Sequence, residues 1–365
     1  MPRIPVSVLI QAHRQNPLLP LLLKECRSLD SARNELRWLR ERALRDSQSR
    51  TRLKGSRLGW RMRLRSMCLW RSRGFPLQYI LGDQPFGDLE ILCRRGALIP
   101  RPETESYTLE AARLIRQSLE NHHGPKLPRP RSLRVLDLCT GTGCIALLLH
   151  ALLSSHFKDM TILGVDISPL ALDLAQKNLD HNINHGLLSC RASADLHFQR
   201  ANVLGRGDDS IPAVEEILPK YFSQPTVSSE STGTGCDLLI SNPPYISTSD
   251  FRDGTTARSV RLFEPRLALV PSASDFTENT YDRPEDIFYR HILALSLKLQ
   301  AKITVLECGD MRQAVRVVEM YTAMISSDLE DSSAEIWPSA EPDLAANGFH
   351  PYDGSRCVII KRQAK

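Results

Sequence analysis

Nowhere does this 365-residue sequence hold an uninterrupted apolar run of about 18 residues, the length a membrane-spanning helix needs. The apolar stretch Pro17 to Leu23 is too short and reads as part of a helix, so no membrane partner is expected. No two of the nine cysteines stand in C-x-x-C spacing. That removes zinc-ribbon and redox-pair readings, leaves buried, reduced thiols as the expectation, and gives no reason to expect a metal. Acidic residues are missing from the first 24 positions; the first is Glu25. No internal repeat is visible.

The missing acids belong to a larger imbalance. Residues 1–75 carry 18 Lys and Arg against 5 Asp and Glu, a net of +13, while the rest of the chain carries a net of −8. Such asymmetry points to a targeting segment, a polyanion-facing module, or both. The acid-free start is similar to a mitochondrial presequence, so a mitochondrial location is expected, with a basic helical domain in the cytoplasm as the alternative. Leu36, Leu39, Ala43 and Leu44 recur with helical spacing. Residues 1–74 therefore read as a basic helical segment or domain. Residues 75–130 read as a hairpin and linker region, with a helix following Pro100 and Pro102 and a loop over His122 to Arg131.

From residue 131 to the end, apolar strands and amphipathic helices alternate, as in a doubly wound α/β sheet. Strands are expected over Leu133–Leu138, Thr161–Asp166, Asp237–Ser241, Ile303–Glu307 and Cys357–Lys361, with a weaker one near Phe198–Val203. Helices are expected over Cys144–Leu153 and Pro169–Asn178, the latter capped by Ser168. Residues 205–235 and 326–347 are polar and break the rhythm, so both read as surface insertions.

Two motifs carry chemistry. The strand Leu133–Leu138 runs into Cys139-Thr140-Gly141-Thr142-Gly143, whose glycines allow a sharp turn and a close ligand approach. The next strand ends in Asp166, a carboxylate suited to ribose hydroxyls. The run Gly141-x-Gly143-x-x-Ala146 also satisfies a dinucleotide fingerprint, so a nicotinamide enzyme competes. Asp137 argues against it, because a pyrophosphate disfavours a negative charge just ahead of the loop. The second motif is Asn242-Pro243-Pro244-Tyr245, directly after an apolar strand. Its prolines fix φ and remove two donors, leaving acceptors that can hold both hydrogens of a planar NH2 group beside an aromatic ring. That set suits methylation of an amide or exocyclic amine.

Further blocks accompany these motifs: Pro76-Leu-Gln-Tyr-Ile-Leu-Gly82, Ile99-Pro-Arg-Pro-Glu-Thr-Glu105, Val260-Arg-Leu-Phe-Glu-Pro-Arg-Leu-Ala-Leu269, Glu307-Cys-Gly309 with Gln313, and Tyr352-Asp-Gly-Ser-Arg356. From about Phe75 onward the whole resembles the release-factor glutamine methyltransferases of the HemK or PrmC type. The resemblance implies a Rossmann-like, seven-stranded class I methyltransferase sheet, S-adenosyl-L-methionine as cofactor, and methylation of the glutamine in the Gly-Gly-Gln loop of a peptide chain release factor. The small helical domain ahead of the sheet would help dock that factor. By position, the cofactor would contact Cys139 to Gly143, Asp137, Asp166, Asn202, Val203 and Asn242, and the substrate glutamine would contact Asn242 to Tyr245. The family usually has Asp where Asn202 stands; Asn still hydrogen-bonds adenine through its side chain. A monomer is expected, with nucleic acid involved only indirectly. The alternative is an adenine amino-methyltransferase acting on nucleic acid, which shares the tetrapeptide.

Overall fold

The computed structural model describes residues 3–50, 59–121, 132–205, 210–222, 235–272, 283–325, 332–338 and 356–362. The expected linker 122–131, most of the Tyr352–Arg356 block and the remaining parts of 205–235 and 326–347 lie outside the described residues. The chain divides into two units.

The first unit takes Met1–Gln84 with Cys93–Arg95 and Thr256–Glu264. Its helices are Val6–Gln15, Leu19–Cys26, Leu29–Arg50, Trp60–Arg71, Leu77–Leu81 and Arg258–Phe263. Ala12, Leu22, Leu23, Leu39, Ala43 and Cys68 are fully buried in one apolar cluster, so the helical stripe read over Leu39 and Ala43 faces a core. Arg71 grips the buried Glu35 through its Nε and Nη2, at 2.8 and 2.9 Å. The unit continues past residue 74 because Leu77 and Ile80 pack into the same cluster.

The second unit is built on a seven-stranded sheet: β3 (Ser132–Leu138), β4 (Asp159–Asp166), β5 (Leu196–Arg200), β6 (Leu238–Ser241), β7 (Ile303–Cys308), β8 (Ser332–Trp337) and β9 (Arg356–Arg362). Two earlier strands, β1 (Asp83–Phe86) and β2 (Leu89–Leu92), form a separate two-stranded sheet. The strand order is β5-β4-β3-β6-β7-β9-β8; β3 to β7 run parallel, and β9 runs antiparallel to both its neighbours. Period-two alternation sends Leu133 and Val135 into one apolar layer and Leu136 and Leu138 into the other. The first layer is shared with the helix Cys144–Leu153; the second with Val214–Phe222, Ile287–Lys298 and Met311–Met324.

The chain starts the sheet at β3, winds outward through β4 and β5, then returns to lay β6 on the other side of β3. This reversal opens a crevice beyond the carboxyl ends of β3 and β6, where ligands of open α/β sheets bind.

Two expectations need correction. Residues 332–337, read as part of an insertion, form edge strand β8, whose Ser-Ser-Ala-Glu-Ile-Trp sequence is too polar to announce a strand. Residues 214–222, read as part of another insertion, form a helix that buries Val214, Leu218 and Phe222 at i, i+4 and i+8. The weak strand ends at Arg200, which leaves Asn202 and Val203 in the turn beyond it.

Candidate active site

At the end of β3 the backbone turns through Cys139 (φ 59°), Gly141 (φ 55°) and Gly143 (φ 78°) before the helix Cys144–Leu153 begins. A Cβ at Gly143 would sit 3.0 Å from both the Ala175 Cβ and the Phe198 ring, so packing as well as φ requires glycine. A Cβ at Gly141 would meet nothing nearer than the Cys139 carbonyl at 3.9 Å; the backbone there borders open space.

Carboxylates hold this turn from two sides. Asp166, at the tip of β4, accepts the Gly141 amide at 2.9 Å on one oxygen and the Ser168 amide at 2.9 Å on the other. Burial raises its carboxyl above the ordinary range, against the pull of the Ser168, Gly141 and Ile167 amides. Asp137 is fully buried beneath the loop and accepts the Thr140 hydroxyl at 2.6 Å. Burial pushes it up to about 7, while Thr140 and the Ala146 amide draw it down. Asn178 adds a third tie: its Nδ2 donates to the Thr142 carbonyl at 2.9 Å and its Oδ1 accepts the Leu92 amide at 2.7 Å.

A cavity of about 470 Å³ opens beside the loop, entirely within the second unit. Among the expected site residues, Cys139, Thr140, Gly141, Thr142, Asp166, Asn202, Val203, Asn242 and Pro244 line it. Asp137, Gly143, Pro243 and Tyr245 are not among the residues that line it. Asn202 is nearly buried, and its Oδ1 accepts the Leu204 amide at 3.0 Å, shaping the turn after β5. The residue-by-residue reading left out one wall, Gly96 to Arg101 with Thr104, and a second formed by Pro265, Leu267, Ala268 and Phe288. The signal for parts of these walls was the Ile99–Glu105 and Val260–Leu269 blocks, whose residues do not by themselves spell out a reaction.

The tetrapeptide is fixed from below. Ser241 donates to the Leu138 carbonyl at 2.9 Å, joining the tips of β6 and β3. Asn242 Nδ2 donates to Thr104 Oγ1 at 3.4 Å. The Tyr245 hydroxyl donates to Glu307 Oε1 at 3.0 Å, and the Tyr245 carbonyl accepts Gln313 Nε2 at 3.2 Å. Gly309 lets the Tyr245 ring approach: a Cβ there would lie 3.1 Å from Cδ2. Among the described residues no group of three or more His, Cys, Asp or Glu side chains could hold a metal ion.

No family model matches the chain. It is 36% identical over 278 residues to the mitochondrial MRF1 N(5)-glutamine methyltransferase MTQ1 of Saccharomyces cerevisiae, covering 74% of this chain and 68% of that protein. It is 34% identical over 269 residues to the probable MRF1 mitochondrial N(5)-glutamine methyltransferase of Schizosaccharomyces pombe, covering 73% of each. The release factor glutamine methyltransferase of Chlorobaculum tepidum is 33% identical over 208 residues, 56% of each chain.

Proposed function

Because the chain belongs to the release-factor glutamine N5-methyltransferases, we propose that the cavity beyond β3 and β6 is its active site and that Asn242 to Tyr245 hold the substrate amide. The protein is a mitochondrial methyltransferase that uses S-adenosylmethionine to methylate the side-chain amide of a glutamine in a peptide chain release factor. That membership sets aside both the nicotinamide and the nucleic-acid alternatives. The acceptor is the glutamine of a Gly-Gly-Gln loop, and the chain is proposed to act as a monomer.

The residues present fit the cofactor. The Asp166 carboxylate takes the Gly141, Ser168 and Ile167 amides and keeps lone-pair room for a ribose hydroxyl. Gly141 presents bare backbone to open space. Val203 and Phe288 offer apolar surface to a ring, and Asn202 stands at the same wall. Asp137, out of the cavity, acts through Thr140 by setting the shape of the loop.

When bound, S-adenosylmethionine supplies an electrophilic methyl group. The chain's own part is positioning and charge. Asn242 Oδ1 and the Pro243 carbonyl accept the two amide hydrogens, which fixes the nitrogen with one face exposed. Both acceptors carry partial negative charge and favour the positive charge that develops on nitrogen. The Tyr245 ring packs on the planar amide. The observation that carries this reading is the convergence of Gly141, Asp166 and Asn242 on one cavity at the point where strand order reverses.

The test is incubation with labelled S-adenosylmethionine and purified mitochondrial release factors, followed by mass spectrometry of the labelled peptide. Label on the Gly-Gly-Gln glutamine supports the reading; label on RNA, or on no glutamine, overturns it. Asn242→Ala should lower turnover by about 10²-fold or more while weakening cofactor binding much less. A release factor with glutamate at the acceptor position offers no amide hydrogens and should remain unlabelled. Equal labelling of the two factors would sink the proposed grip.

A further inference from the structure

Behind Asn242 runs a chain of hydrogen bonds with a fixed direction. Glu307 is the penultimate residue of β7, which is buried throughout, and is 1% exposed. Its Oε2 accepts the hydroxyl of Thr104 at 2.8 Å and its Oε1 accepts the hydroxyl of Tyr245 at 3.0 Å. Thr104, 2% exposed, stands in the first turn of the helix Pro102–Asn121, and its Oγ1 receives Asn242 Nδ2 at 3.4 Å. All of these residues lie in the second unit.

A hydroxyl has one proton to give. With that proton committed to a carboxylate, Thr104 Oγ1 turns only lone pairs toward Asn242. It accepts the NH2 end of the amide and repels the oxygen end. The two ends of an asparagine amide are nearly equal in shape, so shape alone cannot choose between them. The choice matters, because a substrate amide presents N–H groups. Oδ1 facing the cavity accepts them; Nδ2 facing the cavity sets donor against donor.

We propose that Thr104 and Glu307 are positioning residues that set the polarity of the Asn242 amide, turning its oxygen to the substrate and thereby selecting an acceptor group that bears hydrogens. The proposal rests on the role assigned to Asn242 above. It also accounts for the position of Glu307. A buried carboxylate is expensive to keep, and an acceptor-only group is what the direction of the chain demands. Thr104 lines the cavity and Glu307 does not; in this role both act through Asn242.

The test is a double-mutant cycle read by kcat, with tritiated S-adenosylmethionine and the full-length release factor. Thr104→Val keeps shape and removes the hydroxyl. It should lower kcat about 10-fold, leaving the cofactor dissociation constant within about twofold. Thr104→Ser, which restores the hydroxyl, should recover kcat. On an Asn242→Ala background, with turnover followed under excess enzyme, Thr104→Val should cause no further loss, because the amide it orients is gone. An unchanged kcat in Thr104→Val, or the same fold-loss on both backgrounds, overturns the proposal. Should Thr104→Val fail to fold by circular dichroism, Thr104→Ala takes its place. It also removes the hydroxyl, so the same fall and the same disappearance are expected. If Asn242→Ala itself turns over at full rate, the role of Asn242 fails. If Asn242→Ala is impaired and the second loss is fully additive, only the polarity inference fails.

Discussion

Asp166, half-buried, and Asp137, fully buried, are both carboxylates at strand tips, yet they should answer differently to mutation. Asp166 lines the cavity and keeps lone pairs toward it. Asp166→Ala should weaken S-adenosylmethionine binding by roughly 10- to 100-fold, the worth of losing hydrogen bonds to a charged acceptor, read by calorimetry. Asp137 lies behind the loop, and its carboxyl is raised to about 7. A carboxyl that holds its proton more tightly folded than unfolded contributes stability that is whole below the unfolded pKa and falls as pH rises through about 7. Asp137→Asn removes that titration. The thermal midpoint of the variant relative to the wild type should therefore rise across the interval from about 4 to 7. A constant difference across the same interval would place the charge elsewhere. Tyr245 shows what a residue list leaves out. As a ring face alone, Tyr245→Phe would be mild. With its hydroxyl on the buried Glu307, the substitution removes a partner from a buried carboxylate and should lower the thermal midpoint by several degrees.

At the scale of elements, helix Pro169–Asn184 does unusual duty. Asn182 pairs with both backbone groups of Glu90, and Asn178 takes the Leu92 amide, so two side chains one turn apart satisfy the free edge of β2. Asn178 reaches the cofactor loop with its other end. Asn178→Leu leaves the Leu92 amide and the Thr142 carbonyl without it, and should destabilise the fold by about 1–3 kcal/mol and speed hydrogen exchange around residues 140–143. Protection unchanged there would show that the loop holds its shape without the helix. Elements of this sheet were legible from sequence where they are buried on both faces. Leu133–Leu138, Thr161–Asp166 and Ile303–Glu307 are mostly apolar runs because helices cover both sides. β8 escaped because an edge strand half in water has no such run, and Val214–Phe222 escaped because its flanks are rich in Gly, Asp and Ser. The same contrast holds at the site. The glycine turn and Asn242-Pro-Pro-Tyr245 declare their chemistry locally. The wall from Gly96 to Thr104 becomes part of a site only when the fold brings it to the tips of β3 and β6, and Glu307 matters only because Thr104 and Tyr245 reach it.

For the whole molecule, the basic first unit sets the acid-free start of the sequence inside a folded core. Helices Val6–Gln15 and Leu19–Cys26 carry the acid-free start, yet Ala12, Leu19, Leu22 and Leu23 are at most 2% exposed in the core of that unit. A reporter fused behind residues 1–30 should enter mitochondria; diffuse signal would move the address elsewhere in the chain. Deleting residues 1–26 should unfold the first unit, since losing even one buried leucine side chain costs about 2–5 kcal/mol. A stable truncated protein would mean that these helices are dispensable packing. The second unit has an order of its own. β9, last in the chain, sits between β7 and β8, and among the described strands β8 has no other neighbour. A polypeptide emerging from the ribosome therefore cannot finish its sheet until residues 356–362 are out: before then β7 has a bare edge and β8 nothing to pair with. Any chain threading through a membrane pore before that moment is still a chain and not yet an enzyme.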